Sequence, residues 1–255
     1  MTPKLIDEKK SKAEKQVYRL VRSHLFNIFQ QYNSIARVQG VSVAEMRLNE
    51  INRQDFEKIY IEIYNSVGLQ FYQLQSASLD KMKIRTPNVG FFSEIWRQII
   101  MNAVRDVRIA SLITNITDNT RKHVRNILFN AAAERLAPRQ IARLFKDNIP
   151  AFVNNRALTI ARTETGAAAA IGIEHAAKQS QLQLYTIWYH ATHGNSRDNH
   201  LALHLKYAKK GERFDMGDGV KMLYPHDYEG GARENINCRC THSYVTEDVL
   251  KEMGL

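Results

Sequence analysis

The chain has 255 residues, 44% hydrophobic and 24% charged, which is enough apolar material for a buried core and too much for a disordered chain. No stretch approaches the ~18 consecutive apolar residues of a membrane span, and Met1-Thr2-Pro3-Lys4-Leu5-Ile6 opens no apolar signal run, so a cytoplasmic protein with no membrane partner is expected. The formal charge of +10 lies entirely in one part: residues 1–150 hold 24 Lys+Arg against 14 Asp+Glu, whereas residues 151–255 hold 12 of each. That asymmetry predicts attraction of the N-terminal part to a polyanion, either nucleic acid or an acidic surface, with a merely solvated basic face as the simpler alternative.

The first two-thirds read as helix. Tyr18, Val21, Leu25, Ile28, Tyr32 and Ile35 recur at spacings of three and four, the period of a helix laying one seam on another. A second helix is expected from Asp55 to about Gln73, and Ser76 to Gly90, with Lys81, Lys83, Arg85 and Pro87, reads as a basic loop. Ile95, Trp96, Ile99, Ile100, Ala103, Val104 and Val107 then form an apolar helical face, with Arg97, Arg105 and Arg108 on the opposite side. Thr117 or Asn119 is a candidate cap for a further helix whose first turns carry Arg121, Lys122 and Arg125. Cations are unfavourable at that end of a helix dipole, so these three join Arg97, Arg105 and Arg108 as candidate phosphate contacts.

A short helix is expected after Pro138, ended by Asn148 and Pro150, and a long one from Asn155 to about Gln179. The run Ala167 to Ala170 in the latter permits close approach by another backbone element. Arg162 and Glu164, two residues apart, point to different faces and do not pair with each other. Beyond residue 180, Leu184 to Tyr189 reads as a strand and Arg197 to Tyr207 as a short helix, with short strands around Phe214 and Met222-Leu223 and a last one from Cys238 to Val245. The fold class is therefore α+β: a mainly helical N-terminal two-thirds followed by a small α+β unit with short strands and long loops.

Chemically unusual residues cluster in that unit. Both cysteines of the chain, Cys238 and Cys240, lie there, and seven of nine histidines follow position 174. The ordered series Ala161-Arg162-Thr163-Glu164, Trp188, Arg197 with His200, Phe214, Tyr224-Pro225-His226-Asp227 and Asn237-Cys238-Arg239-Cys240 resembles the Mu F / SPP1-type phage head morphogenesis domain, the family of minor head proteins. The resemblance covers roughly residues 130–247, which leaves a basic helical arm at 1–129 and a tail at 248–255.

It implies a minor capsid protein of a tailed phage, docked at the portal or inner capsid and assisting head assembly and DNA packaging or delivery. Portal or major capsid protein and double-stranded DNA, bound without sequence preference, would be its partners. The virion interior would be its location, after host cytoplasm during assembly.

On a strand, Cys238, Cys240 and His242 would face one way and converge on a zinc ion, with His200, His204 or His226 completing the set. The C-x2-C spacing of familiar zinc sites is missing, so packing without a cofactor is the expected role of the pair. Arg162, Thr163 and Glu164 are expected in a buried polar network, and Trp188 in the core. No catalytic residue is assigned. A metal-dependent nuclease or nucleotide-processing toxin is the runner-up, but no nucleophile with an oriented base can be assembled. A cytoplasmic DNA-binding protein unrelated to virions is a third reading.

Overall fold

The computed structural model describes residues 3–81, 92–180, 182–190 and 196–255. Among them the helices come first: α1 (Pro3–Val38), α2 (Val41–Met46), α3 (Arg53–Ile63), α4 (Leu69–Asp80), α5 (Phe92–Arg105), α6 (Val107–Ala133) and α7 (Pro138–Gln179). Then follow β1 (Tyr185–Tyr189), α8 (Asp198–Ala202), β2 (Tyr207–Lys209), β3 (Phe214–Gly217), β4 (Val220–Met222), α9 (Gly231–Asn235), β5 (Thr241–Val245) and α10 (Glu247–Glu252). The α+β class is borne out. Contacts divide the chain into two compact units, one of Met1–Val17, Glu62–Met101 and Ala161–Leu255, the other of Tyr18–Ile61 and Asn102–Ile160.

Several boundaries differ from the sequence expectation, each for a local reason. The α1 stripe extends back through Val17 and Ala13 to Ile6, all buried. Thr117 caps nothing: its Oγ1 donates to Ile113 O at 2.8 Å inside α6, so Arg121, Lys122 and Arg125 lie in mid-helix and the dipole argument for them falls. Pro150 does not end a helix but sits within the 42-residue α7. An interior proline costs about 3 kcal/mol, whereas Ile141, Phe145, Ile149, Val153 and Ala157 continue one buried stripe through it. Each large apolar side chain on such a stripe contributes about 1.5–3 kcal/mol, so the stripe wins. Ser76 to Asp80 is the end of α4, while Lys83, Arg85 and Pro87 lie outside the described residues.

In the second unit His123 stacks on Phe152 with centroids 4.1 Å apart, and Phe29 meets both rings. Asn154 Oδ1 accepts from Arg22 Nε at 2.8 Å and from the Tyr18 hydroxyl at 3.3 Å.

The first unit is built around the C-terminal part of α7. A π-turn at Tyr64–Gly68 joins α3 to α4, and a Cβ at Gly172 would lie 2.1 Å from the Gly68 carbonyl oxygen, so the two backbones touch there. The small-residue run thus serves the close approach expected of it. The unit's sheet is antiparallel in the order β2-β1-β5. Its β5 edge is covered: Gln75 of α4 donates its Nε2 to Tyr244 O at 2.9 Å and accepts from Tyr244 N at 3.2 Å, a side-chain amide standing in for a neighbouring strand. A β3–β4 hairpin completes the element set, and Trp188, Phe214, Met216, Met222, Cys238 and Cys240 form one core cluster.

Because backbone cannot move aside as a side-chain tip can, Gly172→Ala should lower stability by about 1–3 kcal/mol or more. Urea unfolding would measure it, with Ala176→Gly as a comparison that loses only helix propensity and one buried methyl. A Gly172→Ala protein of unchanged stability would show that the Gly68 contact is not tight.

Candidate functional site

The Cys-Arg-Cys segment precedes β5 instead of forming part of it, because β5 begins at Thr241. A turn sets it in place. Cys238 N donates to Asn235 O at 3.1 Å, and Asn237 adopts φ 59°, a left-handed conformation that asparagine tolerates better than most residues. The Asn237 N–H donates to Thr163 Oγ1 of α7 at 3.1 Å.

Opposite the cysteines stands His200 of α8, 1% exposed. Its Nδ1 is 3.5 Å from Cys238 Sγ and 3.4 Å from Cys240 Sγ, and its Nε2 is 2.8 Å from Glu234 Oε2. Glu234, on α9, is itself buried, and the same oxygen accepts from Asn199 Nδ2 at 3.2 Å. Trp188 closes the side of the pocket, its ring edge-on to His200 at 5.5 Å and fully buried, as its core role requires.

Lys10 of α1 reaches the same place from the start of the chain. It is 4% exposed, and its Nζ donates to Cys240 O at 2.7 Å and Arg239 O at 2.9 Å. Burial pushes the Lys10 ammonium below its ordinary value, while the charge of the two cysteines works in the opposite sense. A hydrogen bond from Cys238 holds Cys240 as the more acidic of the two thiols, helped by His200 and Lys10, and the same bond with burial pushes Cys238 up. For His200, burial alone would lower the imidazole; the Cys240 and Glu234 contacts outweigh it and leave the value raised.

The three other candidate histidines, His204, His226 and His242, behave differently. His242, on β5, stacks on Tyr224 with centroids 4.8 Å apart, and burial followed by the Lys10 charge pushes it down to about 3. It therefore stays neutral, and it does not join the cysteines: the donor atoms that converge are those of His200, Cys238 and Cys240, all within 4.8 Å of one another. His226 takes φ 68° and lies on α7 where only glycine fits, since a Cβ at Gly166 would sit 2.0 Å from its Nε2. Burial, with the charges of Lys10, His200 and His242, drives His226 well down. His200 and His204 do not share a helical face, because α8 ends at Ala202 and Leu205 turns at φ 61°; the His204 ring packs on His190 with centroids 4.3 Å apart.

Arg162, Thr163 and Glu164 each make a polar contact, with partners that the sequence did not reveal, although Arg162 is only partly buried. Glu14 Oε1 accepts from Arg162 Nε at 3.3 Å and from Arg239 Nη2 at 2.9 Å, and Glu164 Oε2 accepts from the Tyr64 hydroxyl at 2.9 Å. Arg197 Nη2 donates to Ile236 O at 2.9 Å, bracing the turn before the cysteines. Of the candidate phosphate contacts, Arg97, Lys122 and Arg125 are exposed. Arg121 is engaged structurally, donating to Ile51 O at 2.7 Å and pairing with Asp118 at 3.2 Å. The side chains of Arg105 and Arg108 lie outside the described residues.

A signal for Lys10 was present. Counting back along the α1 stripe from Val21 through Val17 and Ala13 lands on residue 10, a lysine where the pattern asks for an apolar side chain. Glu14 and Glu234 gave no comparable cue, being acids among many on helical surfaces.

Residues 122–243 match the family model described as Phage Mu protein F like protein, which bears out the resemblance read from the sequence. The chain is also 31% identical over 140 residues to the uncharacterized protein YqbB of Bacillus subtilis (strain 168); the match covers 54% of this chain and 45% of that protein, so the chain spans about half the length of this relative. No solved structure matches.

Replacing Lys10 by methionine keeps the length of the side chain while removing the donor to two buried carbonyls. Each carbonyl left unsatisfied costs about 1–3 kcal/mol, so Lys10→Met should lower the urea midpoint substantially, although methionine is the more apolar residue. A midpoint equal to or above wild type would mean that the ammonium is an incidental burial.

Proposed function

We propose that this protein is a non-enzymatic minor head protein of a tailed phage that docks at the portal or inner capsid, contacts packaged DNA and assists head assembly and DNA packaging or delivery. The observation that carries the reading is the family match over residues 122–243, which takes in α7, the cysteine turn and the sheet up to the middle of β5. The polar residues that a catalytic reading would recruit are engaged structurally: Arg162 with Glu14, Glu164 with Tyr64, and His200 with Glu234. Among the described residues no helix is long and apolar enough to cross a membrane. Placement inside the head, following assembly in host cytoplasm, belongs to the same proposal.

The DNA contact rests on charge. The whole excess of +10 lies in residues 1–150, and Lys122 and Arg125 are exposed three residues apart on α6, hence on one helical face, with Arg97 exposed on α5. Backbone phosphates, not base edges, are the suited target.

Quantitative mass spectrometry of purified virions and procapsids is expected to find the protein in a few copies per particle; absence from both would sink the proposal. For DNA, the full chain should bind duplexes of unrelated sequence equally, with affinity falling as salt rises by a slope of roughly −0.9 per phosphate contacted. Lys122→Ala with Arg125→Ala should reduce that slope by about one to two. An unchanged slope would remove this face of α6 from the DNA contact. Point substitutions suit this test better than truncation at residue 150, which would cut α7 in two.

A further inference from the structure

We infer that His200 Nδ1, Cys238 Sγ and Cys240 Sγ bind a single zinc ion, held in place by Glu234 behind the histidine. This inference does not depend on the virion reading. Zinc bonds of about 2.3 Å to sulfur and 2.0–2.1 Å to nitrogen at a tetrahedral angle put sulfur and nitrogen about 3.5 Å apart. The two distances here are 3.5 and 3.4 Å.

Hydrogen bonding alone accounts poorly for that symmetry. With Nε2 donating to Glu234 at 2.8 Å, the neutral imidazole has one in-plane lone pair at Nδ1, which suits one thiol donor, yet two sulfurs stand nearly equidistant from it. A cation between the three donors bonds all of them at once. The carboxylate behind the ring is the usual companion of a metal-bound histidine, fixing its tautomer and orientation. Here Glu234 is 2% exposed and its own position is secured by Asn199 and by Arg233 Nε at 3.5 Å.

Charge is consistent with a divalent ion. Two thiolates neutralise Zn²⁺, and Lys10 and Glu234, both buried in the same unit, carry opposite signs. Thiolate and imidazole donors select zinc over magnesium, calcium or manganese. Three protein donors keep one tetrahedral position for water. His242, the partner expected from strand alternation, is not a ligand, because the cysteines lie in the turn before β5.

The test uses the full chain, purified without chelator from zinc-containing medium. Elemental analysis should find about one zinc per chain, and exchange for cobalt(II) should give the visible bands of a tetrahedral ion with thiolate-to-cobalt charge transfer. Glu234→Gln leaves all three ligands in place and should weaken zinc about 10–100-fold in competition with a chromophoric chelator. Wild-type protein that is folded by circular dichroism but takes up neither zinc nor cobalt would overturn the inference. So would a folded Cys238→Ser/Cys240→Ser protein that binds zinc as tightly as wild type, or a Glu234→Gln protein whose zinc affinity is unchanged.

Discussion

The small residues of α7, Gly166 to Ala170 and Gly172, are the constraint on which the first unit depends. Gly166 and Gly172 are six residues apart, so they face different ways around the helix. One receives the His226 ring and the other the Gly68 carbonyl, each at a distance that no Cβ would allow. Between them Ala167 to Ala170 are all buried. A helix this thin can be approached from two sides at once, by the loop that carries Tyr224-Pro225-His226-Asp227 and by the turn between α3 and α4. Larger residues would push both away, and with them the segments that bear the cysteines and the Gln75 edge cap.

Close packing alone leaves the backbone of the cysteine turn unsatisfied, and the polar contacts divide that work. Thr163 accepts from Asn237 N, Lys10 donates to the carbonyls of 239 and 240, and Glu14 joins Arg162 of α7 to Arg239 of the turn. The side chains alternate in role accordingly. Cys238 and Cys240 turn inward to His200, while Arg239, about one-third exposed, points outward to Glu14. The order of residues in Asn-Cys-Arg-Cys follows from this division: a left-handed residue to enter the turn, two sulfurs for the interior and one guanidinium for the rim.

How much of this was legible in the sequence depended on whether the signal was local. Strand β1, the short strands around Phe214 and Met222, the buried Trp188 and the alanine run of α7 were read from composition and period, because each is decided by its own few residues. Pro150 and Thr117 misled, since punctuation residues were given more weight than the apolar stripes that run through them. Strand alternation pointed His242 at the cysteines because the strand was begun three residues too early; a turn that ends at Cys240 breaks the period on which the argument stood. Glu234, Glu14 and Gln75 were invisible for a different reason. Their partners lie 34, 225 and 169 residues away, and no local pattern encodes such pairings.

Those long separations also bear on how the unit forms. Lys10 and Cys240 are 230 residues apart, and the stretch matched by the family, 122–243, contains the carbonyls but not the lysine that satisfies them. The first 17 residues belong to the same compact unit as the cysteine turn. Helix α1, outside the matched stretch, is therefore not an appendage to it, because Lys10 donates to two carbonyls of the cysteine turn. Contacts of such high sequence separation carry a large loop-closure cost before they contribute anything. The helices, rich in local contacts, can form first, whereas the cysteine turn can be fixed only together with Lys10, Glu14 and the small-residue face of α7.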